Sequence, residues 1–195
     1  LQNNLDNQYN LKFLLPTVGG FSSEVVMLTF LQRLLDDGIC TRLPANIREK
    51  HGLVYDISCE TQFFKEVGTF AIDALVSEDL FEELLEKLSI ELHRIINEKP
   101  SQAEIEHIKY RYIFDLKQIK QNPSRFLNRE VNLFYNTSSY SIEDEIKTIE
   151  SITPETFHDI VKKAFSVEKK GFALVGPRAK KRKKALEHFF AQLKQ

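Results

Sequence analysis

The chain has 195 residues, enough to bury a substantial core without disulfides or a structural metal. A composition of 42% hydrophobic and 11% aromatic residues, with 15 Phe, excludes a disordered or fibrous chain. Charge is balanced, 27 Lys and Arg against 28 Asp and Glu, so no net field favours nucleic acid or an anionic membrane.

Two cysteines, Cys40 and Cys59, do not make a disulfide framework, and they leave both their pairing and the redox compartment open. No apolar run approaches the ~18 residues of a membrane-spanning helix. No basic start followed by an apolar stretch marks a signal peptide. Leu at position 1 in place of Met points to a processed or excised chain, which leaves room for a leader or another domain upstream. No Gly/Ser-rich or Pro-rich linker divides the sequence, so one domain over residues 1–195 is the expected organisation.

The first element, Tyr9 to Leu15, reads as a strand closed by Pro16 and the Gly19–Gly20 pair. Ser22 or Ser23 can cap a helix that Glu24 favours through the dipole. Its apolar stripe is Leu28, Leu31, Leu34 and Leu35, with Gly38 as the expected C-terminal stop. A short helix should run from Arg42 to about Lys50 and end at Gly52. Tyr55, Ile57, Cys59 and Phe63 then alternate with Asp56, Ser58, Glu60 and Gln62, which predicts a half-buried strand. Gly68 sits in a turn, and Phe70, Ile72, Ala74 and Val76 form the second arm of a hairpin.

A long helix follows, with Phe81, Leu84, Leu85, Leu88, Leu92, Ile95 and Ile96 on one stripe, broken by Pro100. Ser101 with Glu104 reads as a capping box for the next, striped by Ile105, Ile108, Tyr112, Leu116 and Ile119. Asn122–Pro123 ends it, and Phe126 to Tyr135 is a further helix. Thr153–Pro154 reads as the start of a helix carrying Phe157, Ile160, Val161 and Phe165. Gly171 to Val175 is a last strand, and the tail from Ala179 is a last helix. The fold class expected is α+β, a largely antiparallel sheet covered on one face by several helices.

Chemistry is mostly missing. The five histidines, His51, His93, His107, His158 and His188, never fall three or four residues apart, and neither H-E-x-x-H nor H-x-x-E-H occurs. They read as surface or half-buried residues, and the chain is expected to hold no metal and to catalyse nothing alone. Cys40 follows a helix C-terminus, where the dipole disfavours a thiolate, and reads as a small packing residue. The basic run Arg178 to Lys184 opens a helix whose other face is Leu186, Phe189, Phe190 and Leu193, so it reads as a solvated face rather than a nucleic-acid site.

The informative stretch is Leu31 to Cys59. It contains Asp37-Gly38-Ile39-Cys40-Thr41-Arg42-Leu43, then Ile47-Arg48-Glu49-Lys50-His51-Gly52-Leu53-Val54-Tyr55. This resembles the signature of the C-terminal-type, inactive domain of the M16 (insulinase and pitrilysin) zinc peptidases, and most of all the zinc-protease-like members from bacteria. Cys40 stands where the family has Ser.

The resemblance implies a fold like that of the mitochondrial-processing-peptidase domains. It implies a partner: an N-terminal M16 domain, in the same polypeptide or another subunit, that carries zinc on an H-x-x-E-H motif. The chain would close a chamber around an unfolded peptide. Arg48 and Tyr55 would reach the substrate, donating to its carbonyls and to the developing oxyanion. The competing reading of the two residues is a structural pair supporting the hairpin. Arg42 could assist them, but a helix-capping or buried ion-pair role is expected of it. The alternative function is a catalytically dead scaffold or partner subunit. The resemblance leaves room for a homodimer, and for either a cytoplasmic or a periplasmic bacterial address.

Overall fold

The computed structural model describes residues 2–3, 7–136 and 141–193. Its strands are β1 (Gln2–Asn3), β2 (Gln8–Val18), β3 (Val54–Phe63), β4 (Val67–Ser77) and β5 (Gly171–Gly176). They form one sheet in the order β1-β5-β2-β4-β3, antiparallel except for β1, which runs parallel to β5. The helices are α1 (Val25–Leu35), α2 (Phe81–Asn97), α3 (Gln102–Gln121), α4 (Pro123–Asn136), α5 (Ile142–Glu150), α6 (Pro154–Phe165) and α7 (Lys183–Gln192). A π-helical segment, Pro44–Glu49, and a 3-10 turn, Ala179–Arg182, complete the set. The fold is α+β, as expected.

The period of two along β2 buries Tyr9, Leu11, Phe13 and Leu15 on one face. Phe70, Ile72, Ala74 and Val76 of β4 join them. The helices gather on that face. Phe13 packs against Phe172, and both rings meet Phe189 and Phe190 of the tail. Phe70 meets Phe165 of α6, Phe30 of α1 meets Phe157, and Tyr9 meets Phe81 of α2. Each fully buried ring of this kind contributes roughly 1.5–3 kcal/mol. The opposite face is more polar: Lys12 lies 2.6 Å from Glu60 and 3.2 Å from Asp73.

Several expectations change in detail. Pro16 does not close β2, which runs on to Val18. β5 reaches only to Leu14 along β2, so the strand beyond is an open edge on that side and tolerates a residue without an N–H. α1 ends at Leu35 with Asp36 as its cap, and Gly38, at φ +110°, turns the chain two residues later. No serine side chain caps α1; Ser22 Oγ instead accepts from the N–H of Glu24. The turn at Ser101 is half a capping box: its side chain accepts from the N–H of Glu104, but the Glu104 carboxylate is engaged by Arg42. The full reciprocal box occurs at Thr153, with Thr156. Cys40 is exposed rather than packed, and Cys59 is buried; both are free thiols. His158 is 5% exposed, a core histidine bonded to the Ile96 carbonyl, and not a surface residue.

The basic tail behaves as a helix face. Arg182 donates to the Tyr9 hydroxyl, Glu78 and Glu82, while Leu186, Phe189 and Leu193 are buried. No helix of the described residues is long and apolar enough to cross a membrane.

Candidate functional site

The segment from Asp36 to Asp56 joins α1 to β3 along the sheet's edge. α1 delivers Asp36, whose carboxylate accepts the backbone N–H of Cys59 at 2.9 Å and so caps one open donor of the edge strand. Burial raises the Asp36 carboxyl above its ordinary range; the Cys59 N–H and Arg48 oppose that, and Asp56 and Asp37 reinforce it. Next comes a tight turn in which Thr41 Oγ1 donates to the Gly38 carbonyl and accepts from the Asp37 N–H.

Arg42 then pairs with Glu104 through two hydrogen bonds, Nε at 2.7 Å and a terminal nitrogen at 3.0 Å. This is the ion pair expected of it, though only partly buried. The helix predicted from Arg42 to Lys50 is present, but it is wound wide over Pro44–Glu49, with the Lys50 N–H reaching back five residues to Ala45. Such turns are rare and recur at functional sites. Leu43, Pro44 and Ile47 pin it inward.

Arg48 lies near the end of this segment. Its side chain is about one-third exposed and its Nε donates to Glu49 at 2.9 Å. The Arg48 carbonyl accepts from the N–H of Gly52, which turns the chain at φ +62°, a conformation that suits glycine. Two residues on, β3 begins with a bulge. Val54 pairs with Val76 and Asp56 with Leu75, which leaves Tyr55 without a partner. Tyr55 is therefore 86% exposed, not on the half-buried face that the alternation predicted. Arg48 and Tyr55 thus stand at one end of the edge strand, and no hydrogen bond joins their side chains.

Sequence reasoning missed two residues here, Asn46 within the segment and Glu91 beneath it. Asn46 Nδ2 donates at 3.1 Å to Glu91 of α2, a carboxylate only 3% exposed. Arg94 approaches the same oxygen at 3.4 Å. The signal was present: Glu91 interrupts the stripe of Leu84, Leu88 and Ile95 at a position where an apolar residue belongs.

Among the described residues, no three of His, Cys, Asp and Glu gather as a metal would need them. What the fold defines is a helix-backed α+β domain with Arg48 and Tyr55 at one end of its edge strand. The chain belongs to the family described as the peptidase M16 inactive domain, which matches residues 6–112. The sequence matches no curated protein.

Solved structures share the fold. The peptidase M16 inactive domain from Pseudomonas fluorescens is 20% identical with a TM-score of 0.78, covering 90% of this chain and 42% of that one. A protease from Helicobacter pylori is 13% identical with a TM-score of 0.84, covering 91% and 43%. An inactive peptidase domain from Bordetella parapertussis is 12% identical with a TM-score of 0.71, covering 88% and 94%. The chain spans less than half the length of the first two.

Proposed function

We propose that this domain is the non-catalytic half of an M16-type zinc peptidase, closing the chamber around an unfolded peptide and supplying Arg48 and Tyr55 to it. The zinc belongs to a separate H-x-x-E-H domain, in the same polypeptide or a partner subunit, where it would activate water and polarise the scissile carbonyl. Among the described residues no cluster of His, Cys, Asp and Glu fits a zinc ion, and the part of Arg48 and Tyr55 is to bind and orient. The Arg48 guanidinium and the Tyr55 hydroxyl donate to peptide carbonyls, and the bonds to the oxygen that gains negative charge strengthen as it does.

One observation carries the reading. A bulge lifts a large aromatic residue, Tyr55, 86% into solvent, outside the core. Its neighbour Arg48 is held at the same end by a turn that a plain helix would not make.

The experiment is peptide hydrolysis by the complete enzyme or the two-domain assembly. Arg48→Ala and Tyr55→Phe should each lower kcat/KM by about 10²-fold or more. Wild-type rates and affinities in both variants would remove the assignment. No hydrolysis in any pairing would instead make the chain a scaffold subunit.

A further inference from the structure

The π-helical segment bearing Arg48 needs something to hold it, because a wide turn is less stable than the α-helix the same residues could form. Its apolar anchors, Leu43, Pro44 and Ile47, fix its position against the sheet and helices. Two carboxylates from two different helices fix the rest. Glu104 of α3 takes Arg42 just before the segment, and Glu91 of α2 takes Asn46 within it, two residues before Arg48.

Glu91 is the unexpected one. It lies on the stripe of α2 between Leu88 and Ile95, both 0% exposed, and is itself 3% exposed. Burial raises its carboxyl above the ordinary range, against the pull of Arg94 and Arg42 and with the push of Glu104. A leucine there would extend the apolar stripe and remove the cost of burying a charge, while the two groups left behind, Arg94 at 51% side-chain exposure and the partly exposed Asn46, can turn to water. The charge therefore does little for the fold beyond these two contacts. Of them, Asn46 is the one that lies in the π-helical segment.

We propose that Glu91 is a positioning residue: through its hydrogen bond to Asn46 it sets the winding of Pro44–Glu49 and thereby the direction in which Arg48 meets the peptide. This rests on the reading of Arg48 given above. Asn46 held by Glu91 keeps the turn wide; Asn46 released lets the segment rewind, which rotates Arg48 about the helix axis while Ile47 stays near its place.

The test uses peptide hydrolysis by the complete enzyme with its zinc domain. Glu91→Leu and Asn46→Ala should lower kcat at least 10-fold with KM changed less than threefold, and the midpoint of thermal unfolding of Glu91→Leu should stay level or rise. Glu91→Gln keeps an oxygen that can accept from Asn46 and should stay within threefold of wild type. Because Glu91 acts through Arg48, the double variant Glu91→Leu/Arg48→Ala should be no slower than Arg48→Ala alone. Should Glu91→Leu fail to fold, the same comparison is made with Asn46→Ala, at a partly exposed position. Should Arg48→Ala alone leave hydrolysis intact, the function assigned to Arg48 falls and this inference falls with it. Should Arg48→Ala slow the enzyme while Glu91→Leu and Asn46→Ala do not, or should the losses multiply in the double variant, the positioning role is overturned and the role of Arg48 stands.

Discussion

Arg42 grips Glu104 through two hydrogen bonds of 2.7 and 3.0 Å, joining the start of the Arg48 segment to the first turn of α3. The Arg42 side chain is 15% exposed and that of Glu104 29%. The pair is screened from solvent, and burial works against the charge on Arg42 while Glu104 outweighs it. Bidentate geometry of this kind needs a guanidinium, because an ammonium presents its charge at one point.

Arg42→Ala strands a partly buried carboxylate and should lower the free energy of unfolding by about 1.5–3 kcal/mol. Urea titration with an unchanged slope is the measurement. Arg42→Lys should recover less than half of the loss. A change under about 0.5 kcal/mol in the alanine variant would make the pair a surface contact of no consequence.

Tyr55 should behave in the opposite way. At 86% exposure and with no strand partner, its ring contributes nothing to the core. Tyr55→Ala should therefore change the free energy of unfolding by less than about 0.5 kcal/mol. A loss of 1 kcal/mol or more would support the reading of this residue as a prop for the hairpin and count against a role in binding peptide.

The same residue marks where the sequence stops being legible. Alternation across Ile57, Cys59 and Asp56 predicted a strand correctly, because period two survives wherever one face is buried. It also put Tyr55 on the Ile57 face, since a bulge leaves no periodic trace of its own in one sequence. The long stripes of α2 and α3 were read directly because each carries four or more residues at helical spacing. α5 was not read: it is short, and its buried set, Ile142, Glu145 and Ile149, includes a carboxylate bonded to Tyr112 and Arg129. The pairing of Glu104 with Arg42 could not be told from a capping box, because both use the same Glu and the partner lies 62 residues away. The π winding likewise leaves no mark in the residues from Arg42 to Glu49, whose partners Glu91 and Glu104 lie on α2 and α3.

Tyr9 offers a test of how the tail is held. Its ring is fully buried against Phe81, its hydroxyl donates to the Pro177 carbonyl at 2.7 Å, and Arg182 donates to that hydroxyl at 3.0 Å. Tyr9→Phe keeps the ring and leaves both partners short of a bond, which should lower stability by about 1–3 kcal/mol. Hydrogen exchange should show faster opening of α7, with little change in α3. Uniform acceleration across the chain would mean that the tail is not held separately through this hydroxyl.

Asp36 gives the fold a pH dependence of defined sign. Its carboxyl is raised above 3.8, chiefly by burial, with Asp56 and Asp37 adding to the rise and the Cys59 N–H and Arg48 opposing it. A carboxyl raised in the folded state holds its proton where the unfolded chain has released it. Folding then binds protons, and stability falls as pH rises. The contribution is fully present below 3.8 and is lost as pH climbs through the folded-state value; above it, a constant penalty for the buried charge remains. Asp36→Asn keeps an oxygen for the Cys59 N–H and removes the ionisation. Relative to this variant, the wild type should lose stability as pH rises from 3.8 through the folded-state value, and urea titrations at intervals from below 3.8 upward measure the difference. At neutral pH the variant should be at least as stable. A constant difference between the two proteins over the whole range would show that the Asp36 charge is no less comfortable in the fold than in water.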